Sequence, residues 1–138
     1  MSKKFDELID LARKVVEQGE ESARKHPKTD EILVVIVEPG KKPYKKTIKN
    51  ELGKFNDIVG GYIENVFIGE QDGKKFGIVI NEEGKLIGLP VNRILVGFDV
   101  LVGPMCITAY NYEGDSVTLT DIEANLFVRR FTPIEVYM

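Results

Sequence analysis

The sequence predicts an α+β fold: a mainly antiparallel sheet with an N-terminal helix, a short inserted helix and a C-terminal helix. Three observations carry this. The apolar and alternating runs are short and separated by turn residues, too close together for the crossovers of a parallel sheet. Helical periodicity is confined to the two ends and to one brief stretch between them. A chain of 138 residues, 43% apolar and 30% charged, is also long enough to bury a core without staples. The expected organisation is an appended amphipathic helix over residues 1–30 and one α+β domain over 31–138, its helices packed on one face of the sheet.

Each element has its own signal. Over 3–24, Phe5, Leu8, Ala12, Val15 and Gly19 recur at three- and four-residue steps, with Ile9 and Val16 widening the stripe. His26-Pro27 ends this helix, because proline pushes the residue before it out of helical space. Glu31–Glu38 (EILVVIVE) is a β-branched run suited to a strand covered on both faces. Pro39-Gly40 turns, and KKTIK at 45–49 reads as an edge strand whose lysines guard against foreign pairing. Asn50 suits the cap of a short helix, ELGKFNDIV, that presents Leu52, Phe55, Ile58 and Val59 on one side and closes at Gly60-Gly61. YIENVFIGE and KKFGIVIN flank a Gln71-Asp72-Gly73 turn as paired strands. Asn81–Gly84 makes a tight reversal, and Lys85–Leu89 is expected to run back antiparallel until Pro90 stops the ladder. A strand region spans 96–110, interrupted at Gly103-Pro104; Glu113–Asp115 turns into SVTLT. Thr120-Asp121-Ile122-Glu123 is a capping box opening DIEANLFVRRF, which Thr132-Pro133 stops.

Composition excludes several classes. No apolar run approaches the roughly 18–20 residues of a membrane helix, and the charged N-terminus lacks a signal peptide's continuous apolar core. One cysteine, Cys106, excludes an internal disulfide framework and fits a reducing cytoplasm. With a single histidine, His26, a zinc site of Cys and His type is out on arithmetic; no metal or cofactor is expected. A net charge of −3 offers nothing global to nucleic acid or an anionic membrane, although Lys41, Lys42, Lys45, Lys46 and Lys49 form a local basic cluster.

The segment GIVINEEGKLIGLPVNRIL (77–95) holds the densest punctuation, and within it Asn92-Arg93 is more than turn chemistry. Arginine presents a planar fork matched to carboxylate or phosphate, and the neighbouring amide adds a donor and an acceptor. Two readings stand side by side: Arg93 staples the loop through Glu82 or Glu83, or it meets a ligand. Taken in order, VEPGKKPY (37–44), VGGYIE (59–64), NEEGKL (81–86) and GLPVNR (88–93) resemble an uncharacterised domain family of phages and Gram-positive mobile elements, over roughly residues 31–132. The resemblance implies a phage or mobile-element setting, sometimes beside antirestriction modules, and supplies no catalytic residues.

No nucleophile–base–orienter constellation is visible. His26 sits at a junction, Cys106 lies in an apolar strand, and Glu82-Glu83 lacks the spacing of a calcium loop. The inventory points instead to a non-enzymatic protein binding a small, phosphate-containing, nucleotide-like ligand. Arg93 and Lys42 would take the phosphate, Tyr44 and Tyr62 would offer aromatic platforms, and Asn92 and Asn81 would supply amide edges. Sequestering a nucleotide signal would make it a counter-defence protein. The rival is a protein–protein interaction module acting on a host factor. A small enzyme or a nucleic-acid binder ranks behind both, the latter because of a pI near 5.3. The N-terminal stripe suits packing on its own sheet or across a homodimer equally well.

Overall fold

Alternation along the first strand settles the architecture. In the computed structural model, which describes residues 2–138, the elements are α1 (Lys3–Lys25), β1 (Glu31–Val37), β2 (Tyr44–Lys49), α2 (Leu52–Val59), β3 (Ile63–Gln71) and β4 (Lys74–Asn81). They continue with β5 (Val91–Leu95), β6 (Asp99–Val102), β7 (Met105–Asn111), β8 (Ser116–Val117), α3 (Asp121–Arg130) and β9 (Glu135–Val136). On β1, Ile32, Val34 and Ile36 join one buried cluster with Phe55 and Val59 of α2, whereas Val35 and Val37 join another with Phe127 and Phe131 at the end of the chain. Successive side chains of a strand point to opposite faces, so α2 and α3 lie on opposite faces of the sheet. This corrects the expectation that the helices share one face: a continuous apolar run like EILVVIV needs cover on both sides.

The main sheet runs β2-β1-β7-β4-β3, with β8 attached to β7, and every pairing in it is antiparallel. A second, small sheet of order β6-β5-β9 contributes Leu95, Leu101 and Val136 to the α3-side cluster. Its β5–β9 pairing is parallel. The fold class is therefore α+β with a mainly antiparallel sheet, as the sequence predicts.

Two local expectations need correction. Lys85–Leu89 is not a strand: residues 82–88 form consecutive turns closed by Ile87 N–H to the Glu83 carbonyl and Leu89 N–H to the Gly84 carbonyl. Leu86 and Ile87 are exposed there, so alternation in this run tracked no buried face. Asn50 does not cap α2, whose N-cap is Glu51 without a side-chain bond. Its amide instead donates to the Thr29 and Ser116 carbonyls, both at 2.9 Å, tying the α1–β1 linker to β8. The strands β5 and β9 carried no recognised signal. The C-terminal closure of α2 is as expected, with Gly60 in the left-handed region at φ 76°.

The capping box at the start of α3 is present in full, and it does a second task. Glu123 Oε1 accepts from Thr120 N–H at 2.8 Å and from Lys74 Nζ at 2.7 Å. Only 6% of the Lys74 side chain is exposed, so the pair is largely dry. Glu123→Ala removes both an N-terminal cap and the partner of a buried ammonium. It is expected to lower the unfolding free energy by about 2–3 kcal/mol in a urea titration, with Glu123→Gln losing less because its amide oxygen still caps.

Candidate functional site

The residues the sequence nominates for ligand binding fall into two groups that the fold keeps apart. Arg93 is 4% exposed and fully engaged inside the protein. Its Nε donates to the Phe131 carbonyl at 2.7 Å and its Nη2 to the Lys41 carbonyl at 2.7 Å. Its Nη1 donates to both the backbone carbonyl and the Oδ1 of Asn92, each at 2.9 Å. Neither Glu82 nor Glu83 is its partner; the staple is made to carbonyls. One of these, Phe131, caps the C-terminus of α3, where the helix dipole places partial negative charge. Burial pulls the guanidinium pKa below its ordinary value, but arginine begins so high that the group stays charged.

Asn92 is equally committed. Its Nδ2 donates to the Val37 and Gly103 carbonyls at 2.8 and 2.7 Å while its oxygen holds Arg93. Together the two side chains knot the end of β1, the turn before β7, the β1–β2 connection and the exit of α3. Asn81 is buried as well: its Nδ2 donates to the Val59 carbonyl and its Oδ1 accepts from Glu83 N–H at 2.8 Å, the geometry of an Asx turn.

Lys42, Tyr44 and Tyr62 remain at the surface. Tyr44 lines a shallow cleft of about 280 Å³ with Glu38, Lys46 and Asp57, two carboxylates beside one ammonium. Its hydroxyl donates to Glu38 at 3.2 Å, and desolvation followed by that carboxylate pushes its pKa up. Tyr62, at 74% exposure, stands before β3. None of the six nominated residues lines the largest cavity.

That cavity, about 510 Å³, lies on the α2 side of the main sheet between α2 and the β7–β8 turn, within the range of about 300–1,000 Å³ typical of small-ligand sites. Phe55, Ile63 and Val79 give it an apolar floor; Asn65, Thr108, Tyr110 and Ser116 contribute polar side chains. Lys28 is its one cation and Asp115 its one carboxylate. At mid-strand Gly77 leaves a gap on this face that the Asn65 amide fills: a Cβ on Gly77 would stand 2.1 Å from Asn65 Oδ1. Strand alternation puts Thr108 and Tyr110 on the same face as Cys106. Thr108 is 4% exposed, and its Oγ1 is the one buried side-chain polar atom without a hydrogen-bond partner among the described residues. A buried hydroxyl left unpaired costs free energy, and such an atom calls for an explanation.

The sequence signals for this groove are Gly77 inside KKFGIVIN and the alternation of CITAY. Cys106, beneath the same face, is fully buried, and burial pushes its thiol up to about 12, leaving it inert as a nucleophile. Among the described residues, no three or more His, Cys, Asp or Glu side chains gather to hold a metal, and no helix is long and apolar enough to cross a membrane.

Comparison with known families adds one result. The model of a domain of unknown function, DUF3846, matches residues 32–132. The chain belongs to the DUF3846 family. The matched DUF3846 region starts at Ile32 in β1 and ends just past α3, so it contains the Asn92–Arg93 knot and nearly all of the groove, but not Lys28 or α1. No curated protein and no solved structure matches the chain.

Proposed function

We propose that this protein is a non-enzymatic binding protein that takes a small nucleotide-like ligand in the groove between α2 and the β7–β8 turn. The observation that carries the reading is Thr108, a residue lining the largest cavity whose buried hydroxyl has no hydrogen-bond partner. A planar heteroaromatic base suits the Phe55–Ile63–Val79 floor, with the Thr108 hydroxyl and the Asn65 amide meeting its polar edge. Asp115 accepts from an amino or sugar hydroxyl group, and Lys28 at the rim meets a phosphate. The motif resemblance supports a phage or mobile-element setting, in which sequestering a cytoplasmic nucleotide signal would serve counter-defence.

The test uses Thr108→Val, which keeps the shape and removes the hydroxyl. Calorimetric titration with a panel of nucleoside monophosphates, diphosphates and cyclic dinucleotides should find a ligand whose affinity falls at least tenfold in the variant. Stability in urea should hold or rise by about 1 kcal/mol, since a buried unsatisfied group has been removed. Failure of every probe to bind the unaltered protein, or binding indifferent to Thr108→Val, would overturn the reading.

A further inference from the structure

The groove's one cation, Lys28, comes from outside the DUF3846 region, on the short linker that follows α1. α1 is 23 residues long, yet Ser22 is its one buried residue, so the helix is held by its C-terminal end. Ser22 donates through Oγ to the Gly73 carbonyl and accepts from Tyr112 N–H at 2.9 Å. Lys25 Nζ meets Asp72 Oδ1 at 3.0 Å, and His26 Nε2 lies 2.8 Å from the Asp72 carbonyl. This seat rests on the β3–β4 turn and on Tyr112, which opens the β7–β8 turn. The second of these turns continues through Gly114 and Asp115 into the lining of the groove.

We infer that the seating of α1 sets the rim of the groove: seated, α1 holds Lys28 at the mouth and braces the β7–β8 turn; unseated, it releases both. The regulation this gives the groove rests on the ligand site proposed above. Two amide side chains carry the coupling. Asn111 is 1% exposed. Its Nδ2 donates to the His26 carbonyl at 3.0 Å, while its Oδ1 accepts from Glu113 N–H at 3.0 Å and Asp115 N–H at 3.1 Å. One side chain thus joins the residue that ends α1 to the turn that forms one wall of the groove. Asn50 works from the other side of Lys28. Its Nδ2 donates to the Thr29 and Ser116 carbonyls, both at 2.9 Å, and its backbone N–H to the Asp30 carbonyl at 2.8 Å. Lys28 is therefore strung between a carbonyl held by Asn111 and two held by Asn50, and Pro27 fixes φ within that span. Such hydrogen bonds are individually weak against competition from water. Freeing the α1 end of so short a segment returns the conformational entropy that its two anchors remove. Linkage runs both ways: a ligand on the rim favours seated α1 as much as the seat favours the ligand.

The test is amide hydrogen exchange on the full chain, read residue by residue. Ser22→Arg forces a long charged side chain into a site only 2% exposed and unseats α1; Ser22→Ala, which removes only the two hydrogen bonds, should act in the same direction by less. Tyr112 N–H reports the seat itself. In Ser22→Arg, Asn50, Glu113 and Asp115 should also exchange at least about fivefold faster, with Ile78 and Ile107 of the central strands unchanged. Acceleration at Tyr112 alone would overturn the inference. Titration with the nucleotide selected from the panel separates the coupling from the site. Affinity should fall at least about fivefold in Ser22→Arg and in Lys28→Ala, and no further in the double variant. In the unaltered chain, the same nucleotide should slow exchange at Tyr112. Unchanged affinity in Ser22→Arg would overturn the coupling and leave the groove standing as a site. Where no probe binds the unaltered chain the site reading falls, and exchange at Asn50, Glu113 and Asp115 alone upholds or overturns the hold of α1 on the rim.

Discussion

Arg93→Ala is expected to lower the unfolding free energy by about 3–5 kcal/mol, a large part of the stability of a domain this size. The reason is what it leaves behind. The guanidinium satisfies the carbonyls of Phe131, Asn92 and Lys41 and the Asn92 side chain at once. Hydrogen bonds to a charged donor each contribute about 1.5–3 kcal/mol, and an acceptor stranded in the interior keeps its full desolvation cost. Arg93→Lys is not a rescue: one ammonium on a flexible stem cannot follow three directions set by a planar fork. A urea titration reads this as a fall in midpoint at nearly constant slope. A loss under about 1 kcal/mol would show that the knot holds nothing together. The ligand affinity of the folded fraction should be unchanged, because Arg93 lies outside the groove.

Phe131→Ala should be of similar size, about 3–5 kcal/mol, or a drop of roughly 10–20 °C in thermal midpoint. Phe131 is fully buried and packs on Phe127, ring centroids 6.4 Å apart; Phe127 in turn meets Phe76 of β4 edge-on at 5.4 Å. This chain of rings holds α3 against the main sheet. Truncation leaves a cavity where the helix ends and loosens the carbonyl that Arg93 grips. The two substitutions share a partner, so the double variant should lose measurably less than the sum of the singles. Strict additivity would mean that ring and guanidinium act independently. Phe131→Leu should recover most of the loss by filling volume.

Legibility of the fold followed the physical signal in each segment. The heptad-like stripe of α1, the β-branched run of β1 and the Thr120–Glu123 box each state a local preference that tertiary structure has no cause to override, and each element formed as read. Lys85–Leu89 has strand-like composition, but its face is decided by what lies above it; nothing does, and Leu86 and Ile87 sit in solvent. β9 has two residues and exists only because β5 offers an edge. The candidate site was legible in part. Asn92 and Arg93 are both specialised side chains, yet polar groups of that kind serve carbonyls as readily as ligands. Which they serve depends on what surrounds them, here a C-terminal helix end and a strand end remote in sequence. Thr108 looked like an ordinary strand residue. Only the pairing of β7 with β4 sets Thr108 opposite Gly77 on the face where the groove lies, with its hydroxyl buried and without a partner.

The most direct test of the proposed ligand site is an amide correlation spectrum of the isotopically labelled chain, titrated with the tightest-binding nucleotide of the panel. Saturable shifts concentrated at Asn65, Gly77, Thr108 and Ser116 are the predicted result. Shifts concentrated instead at Lys42 and Tyr44, with the groove silent, would contradict it and place the ligand on the surface beside the lysine cluster.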